Sequence, residues 1–271
     1  MSSKLIKSFL TGTLLTVGLA MASAGQAMAV TLNGTATVTA DNHYGLFYGD
    51  KSGNSLNFVG RNELGSKGSE GAYNWSRPEN WTFDVDSKDY LYMVVWDDKS
   101  VDEMWVGEFS FSNGSTLLSK ATDWEFMISD NANPFSRTVP QAERDQGFLA
   151  AGDRFEGNVP KNGELAQEIQ NGNWVNSFTR GNNVSGGGRP WGQIAGISAN
   201  AEFLNTTTSG GPTRGTDQNN KYTIFRTRNT VGELVGVVEP ASVPEPTSII
   251  SLLAFGAVGA GSFIKRKSKV A

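Results

Sequence analysis

The chain predicts an all-β fold, a β-sandwich or jelly roll with long loops and one short helix. Three observations carry this: apolar residues alternate with period two, clusters of turn residues separate the alternating runs, and helical periodicity is nearly missing. Many short strands punctuated by turns are the signature of sandwiches and barrels rather than of parallel sheets with crossover helices.

The first strand is the clearest. From Thr31 to Thr39, Leu32, Gly34, Ala36 and Val38 alternate with Thr and Asn, so one face is apolar and the other polar. Aromatic and β-branched runs follow at His43–Tyr48, Leu56–Val59, Trp81–Val85, Tyr90–Trp96, Met104–Phe111, Trp124–Ile128, Tyr222–Thr227 and Leu234–Val238. Turns are predicted where Gly, Asp, Asn, Ser and Lys gather, as in Gly49–Asn54, Asp97–Ser100 and Asn113–Ser115. Glu164–Gln170 is the one helical stretch. Regularity falls after Ile128, and Gly181–Gly192 and Asn205–Asn220 read as long loops.

The two ends do not belong to the sandwich. Lys4 and Lys7 precede an apolar stretch from Phe9 to Ala22, and Ala27-Met28-Ala29 then offers small residues at Ala27 and Ala29, where a signal peptidase reads. Residues 1–29 are therefore predicted to be a signal peptide. Near the other end, Val243-Pro244-Glu245-Pro246 must be extended, because proline excludes helix and pushes its predecessor towards β geometry. The uncharged run Ser248–Ile264 follows, a helix of roughly 25 Å, at the short end of what crosses a bilayer. Lys265, Arg266, Lys267 and Lys269 close the chain and resist translocation, which places them in the cytoplasm and everything before the helix outside. The predicted organisation is a signal peptide (1–29), a sandwich ectodomain (30–238), a linker (239–247), a transmembrane helix (248–264) and a basic tail (265–271).

The order of proline-glutamate-proline motif, apolar span and basic end resembles the PEP-CTERM sorting signal of bacterial envelope proteins. That resemblance covers Val243 to Ala271. It implies processing by exosortase, a membrane transpeptidase that cuts near the motif, and export to the cell envelope, outer surface or extracellular matrix of a bacterium.

Composition narrows the function classes. Without the six basic residues of the two ends, 17 basic residues face 27 acidic ones, and the exported part carries about −10. Nucleic acid is excluded as a partner, since its binding depends on neutralising phosphates. There is no cysteine and one histidine, so zinc centres built on thiolates or several imidazoles are excluded.

Three kinds of site remain as candidates. Asp41 with Asp50, and the alternating Asp84, Asp86 and Asp89, can offer oxygens to Ca²⁺, beside the simpler reading of acidic turns; the glycine and distal glutamate of an EF-hand are missing. Trp75, Trp174 and Trp191 lie among Asn and Gly, where a ring can stay exposed and stack on a sugar, whereas Trp81, Trp96 and Trp105 lie in alternating strands and are expected inside. Asp97, Asp98, Glu103, Glu108, Asp123 and Glu125 sit near aromatics, as the paired carboxylates of a glycoside hydrolase do, although acids at strand ends are more often solvated charge. His43 is expected at a turn or strand edge, and no nucleophile elbow accompanies it.

The segment Val38-Thr39-Ala40-Asp41-Asn42-His43-Tyr44-Gly45-Leu46-Phe47-Tyr48-Gly49-Asp50 is similar to the opening of galactose-binding-like jelly-roll modules. Trp81–Val85 and Asp89–Trp96 resemble their paired core strands. This resemblance implies a sandwich and adds weight to sugar binding with a structural calcium. The expectation is a non-catalytic envelope or matrix protein that associates with polysaccharide, with a carbohydrate-binding module as the alternative and a secreted glycoside hydrolase as the third.

Overall fold

The computed structural model describes residues 29–41, 43–61, 77–96, 104–132, 159–184, 192–207 and 221–237. The chain divides into two units, Ala29–Val238 and the terminal segments Met1–Met28 with Glu239–Ala271; only the first contains described residues. The predicted signal peptide up to Met28, the Pro244-Glu245-Pro246 motif, the apolar span and the basic tail all lie outside the described residues. Among the described residues no helix is long and apolar enough to cross a membrane.

Twelve strands run in order: β1 Thr31–Asp41, β2 His43–Gly49, β3 Asn57–Arg61, β4 Glu79–Asp86, β5 Tyr90–Trp96, β6 Met104–Phe111, β7 Thr116–Leu118, β8 Trp124–Ala132, β9 Val175–Asn176, β10 Phe178–Asn182, β11 Glu202–Asn205 and β12 Lys221–Thr227. Helix α1 is Asn162–Asn171 and α2 is Val231–Leu234. The strands build two antiparallel sheets. One has the order β10-β11-β6-β1-β4, with β7 also on β6, and the other the order β3-β2-β5-β12-β8-β9.

Alternation decides what each sheet buries. In β1, Leu32, Ala36, Val38 and Ala40 point inwards, and they meet Trp81, Phe83 and Val85 of β4 and Trp105, Phe109 and Phe111 of β6. The second sheet faces them with Tyr44 and Leu46 (β2), Leu91, Met93 and Val95 (β5), Trp124 and Phe126 (β8) and Phe225 (β12). Both sheets thus share one apolar cluster, which is the core of a sandwich. Trp105 lies at its centre, with ring centroids 4.7 Å from Trp124 and 5.9 Å from Phe225, and is fully buried. Trp81, Trp96 and Trp105 are all buried, as their alternating strands predict.

The polar halves of the alternation face outwards and bond across strands. On the outer face of β1 and β4, Thr31 donates to Asp86 at 2.9 Å, Asn33 to Asp84 at 3.1 Å and Thr37 to Asn80 at 2.7 Å. The β5 strand is buried on both sides: Tyr92, Val94 and Trp96 face away from the sandwich core into a second cluster, closed by Leu165 and Ile169 of α1. These two residues are one helical turn apart, so α1 lays a single apolar stripe on the sheet. The close approach requires Gly53, which has φ +73°, and a Cβ there would lie 2.8 Å from Ile169. A third cluster covers β6 from outside, where Ile194, Ile197, Ala201 and Phe203 meet Met104 and Val106. Asn183, fully buried, pins that covering segment by donating to the carbonyls of Ile194 and Ile197 and accepting from the Ile194 N–H at 2.6 Å.

Two expectations need correction. The described part of the expected strand Leu234–Val238, up to Val237, is not a strand: Val231–Leu234 forms a helical turn, so the described residues contain two helices rather than one. The local signal is a capping box, with the Thr230 hydroxyl accepting from the Glu233 N–H and the Glu233 carboxylate accepting from the Thr230 N–H. Val231 and Val235, four residues apart, are both buried, which is helical spacing. His43, expected at a turn or edge, starts β2 inside the sheet, is buried, and stacks on Trp96 with centroids 5.6 Å apart.

Candidate functional site

No three of the predicted metal residues are placed to hold one ion, although Asp86 and Asp50 lie near enough to Asp89 for their charges to act on it. Asp50 closes the β2 end of the β2–β3 hairpin and folds the turn around its own carboxylate. Its oxygens accept from the Ser52 N–H and hydroxyl, the Ser55 N–H and hydroxyl, and the Asn54 N–H. Partial burial pushes this carboxyl up, but the hydrogen bonds from Ser52, Ser55 and Asn54 outweigh it and hold the group at about 2. Asp84 and Asp86 stand on the outer face of β4, each accepting from a β1 side chain, and Asp41 ends β1 opposite Met104. Asp89 follows the turn after β4, where burial, with the Asp86 and Asp50 charges, raises its pKa despite a bond from the Asp86 N–H. Among the described residues no group of three or more His, Asp or Glu is placed to hold a metal ion.

Of the three predicted sugar platforms, Trp75 and Trp191 lie outside the described residues. Trp174 is half-buried beside the second cluster. Its N–H donates to the Ile169 carbonyl at 3.3 Å, and the Arg226 guanidinium covers one ring face at 3.8 Å from the centroid. Arg226 itself is locked. It pairs with Glu125 through Nε at 3.1 Å and through Nη2, donates to the Lys51 carbonyl at 2.8 Å, and lies 5.7 Å from the Tyr90 ring. The guanidinium therefore ties β8, β12, the β2–β3 turn and the segment after α1 into one unit.

The acids considered for hydrolysis are not brought together. Asp97, Asp98 and Glu103 lie outside the described residues. Glu108 points out of the first sheet and accepts from the Ser198 N–H, whereas Glu125 points out of the second sheet to Arg226. The whole thickness of the sandwich separates the two carboxylates. Asp123 sits in a turn, where its carboxylate accepts from the Thr122 hydroxyl. The buried carboxylate Glu79 accepts from the Tyr44 hydroxyl at 2.8 Å, which in turn accepts from the Trp81 N–H at 2.7 Å; this chain of bonds anchors the core end of β4.

A concavity is formed on the second sheet. The β2–β3 hairpin and the segment that enters α1 enclose a cleft of about 700 Å³, lined by Phe47, Tyr48, Leu56, Asn57, Phe58, Val159, Pro160, Lys161 and Asn162. Phe47, Leu56 and Val159 are buried and form an apolar floor. Phe58 is half-exposed and held edge-on by Phe47, with centroids 5.3 Å apart. Asn162 braces the two walls by donating to the Leu56 carbonyl at 2.7 Å. Sequence reasoning missed this site because its walls are about a hundred residues apart and neither carries a motif.

The chain was compared with protein-family models, with curated proteins and with solved structures, and it matches none of them.

Proposed function

We propose that the chain is an exported, non-catalytic envelope or matrix protein, sorted through its C-terminal tail and presenting the sandwich outside the cell. The observation that carries this reading is the order of Pro244-Glu245-Pro246, apolar span and basic end, opposite an N-terminal signal. One structural fact supports it: both sheets and their shared core are built within the unit Ala29–Val238.

In this reading the signal peptide is removed near Val30, the helix Ser248–Ile264 holds the protein in the membrane at least transiently, and exosortase acts near the Pro-Glu-Pro motif. The acidic exterior keeps copies soluble and apart. Replacing Pro244, Glu245 and Pro246 with alanine in a host that contains exosortase is expected to leave an unprocessed, membrane-held chain. Unchanged processing and location would remove the basis of the proposal.

A further inference from the structure

We propose that the cleft between the β2–β3 hairpin and residues 159–162 binds a sugar ring bearing a carboxylate, the uronate unit of an acidic polysaccharide. None of the three predicted tryptophan platforms is among the described lining residues, and the proposal does not depend on the sorting tail.

Size comes first. A volume of about 700 Å³ lies within the ~300–1,000 Å³ usual for small-ligand sites, with room for a sugar ring and part of its neighbour. The lining is divided as a sugar requires. A pyranose has an apolar face of C–H groups and a rim of hydroxyls. The half-exposed Phe58 ring, fixed edge-on by the buried Phe47, supplies a flat apolar surface that loses little entropy on binding. Asn57 and Asn162 are exposed amides at the rim; each spends one N–H on a backbone carbonyl, of Ser55 and Leu56, and keeps its second N–H and its oxygen for hydroxyls.

The carboxylate follows from Lys161. Its side chain lines the cleft, is exposed, and makes no ion pair among the described residues, although the protein has an excess of acids. Among the described lining residues Lys161 is the one charged side chain and none is a carboxylate. Helix α1 starts in the same wall without a side-chain cap, and Glu164 in its first turn already meets the helix dipole, so the preference for a negative group rests on Lys161. A single ammonium with two amides and no guanidinium suits one carboxylate better than a phosphate, for which a bidentate arginine is the stronger partner. Repulsion from the acidic exterior is screened beyond about 8 Å at physiological ionic strength, so contacts within the cleft decide binding.

The test is calorimetric titration of the full chain, in detergent micelles at 0.15 M NaCl, with trigalacturonate and with the neutral trimer cellotriose. Trigalacturonate is expected to bind at least tenfold more tightly than cellotriose. Lys161→Gln, on the surface, should weaken trigalacturonate at least tenfold while leaving the melting temperature unchanged, and Phe58→Ala should weaken both trimers. Absence of trigalacturonate binding, equal binding of the two trimers, or full affinity in Lys161→Gln overturns the proposal. Processing of the tail is expected to be unchanged in Lys161→Gln, which separates this outcome from that of the sorting experiment.

Discussion

Among the described residues, Asp50 and His43 both make the sandwich lose stability in acid. Asp50 has a folded pKa of about 2, below its ordinary value of 3.8. A carboxylate depressed on folding contributes stability above its unfolded pKa and loses it as pH falls through the folded one. Asp50→Ala is therefore expected to lower stability by about 1–3 kcal/mol at neutral pH, through the lost turn bonds, and by much less at pH 2. Urea unfolding at the two pH values measures this. His43 behaves oppositely in charge but alike in sign. Burial, assisted by the Arg61 charge, holds its pKa well below 6.5, so it is neutral in the fold and gains a proton on unfolding. Its contribution is present above about 6.5 and falls as pH drops below that value, by up to about 1.4 kcal/mol per pH unit. A His43→Phe chain, which keeps the stack on Trp96, should lose that slope between pH 6.5 and 5 in the same unfolding experiment.

At the scale of elements, Arg226 joins pieces that the chain order keeps apart. Its side chain is 5% exposed and its partner Glu125 19% exposed, so breaking the pair leaves a poorly solvated charge. Arg226→Ala is expected to destabilise by about 3–5 kcal/mol, more than Glu125→Gln, because it also removes the contacts to Lys51, Tyr90 and Trp174. Quenching of tryptophan fluorescence by iodide should rise in Arg226→Ala as the covered face of Trp174 opens. This arrangement was not legible in the sequence. Trp174 sits between Asn173 and Val175 in a stretch that reads as open loop, and the guanidinium that covers it comes from a strand 52 residues later. The strands themselves were legible where alternation is long, as in β1, or where aromatics and β-branched residues crowd together, as in β5. The strands β7, β9, β10 and β11 were not, because they have two to five residues, and tertiary pairing decides their state. The α2 turn was misread because the valines after Leu234 suggest a strand. The Thr230–Glu233 capping box, three residues earlier, is the signal that wins.

For the whole molecule, topology matters as much as composition. Strand β12, close to the end of the folded unit, lies between β5 and β8 in the middle of the second sheet. The sandwich core therefore cannot close until nearly the entire unit Ala29–Val238 is available, and a chain truncated before Lys221 loses the strand that joins β5 to β8. The strands and their core all fall before residue 239, and the segment with the Pro-Glu-Pro motif follows in sequence. Intact mass spectrometry of the protein recovered from the surface of its native cell tests the account of export most directly. The predicted result is a species that starts near Val30 and ends near Pro244–Pro246, with or without the mass of a covalently attached acceptor. A surface species with the mass of all 271 residues would contradict it.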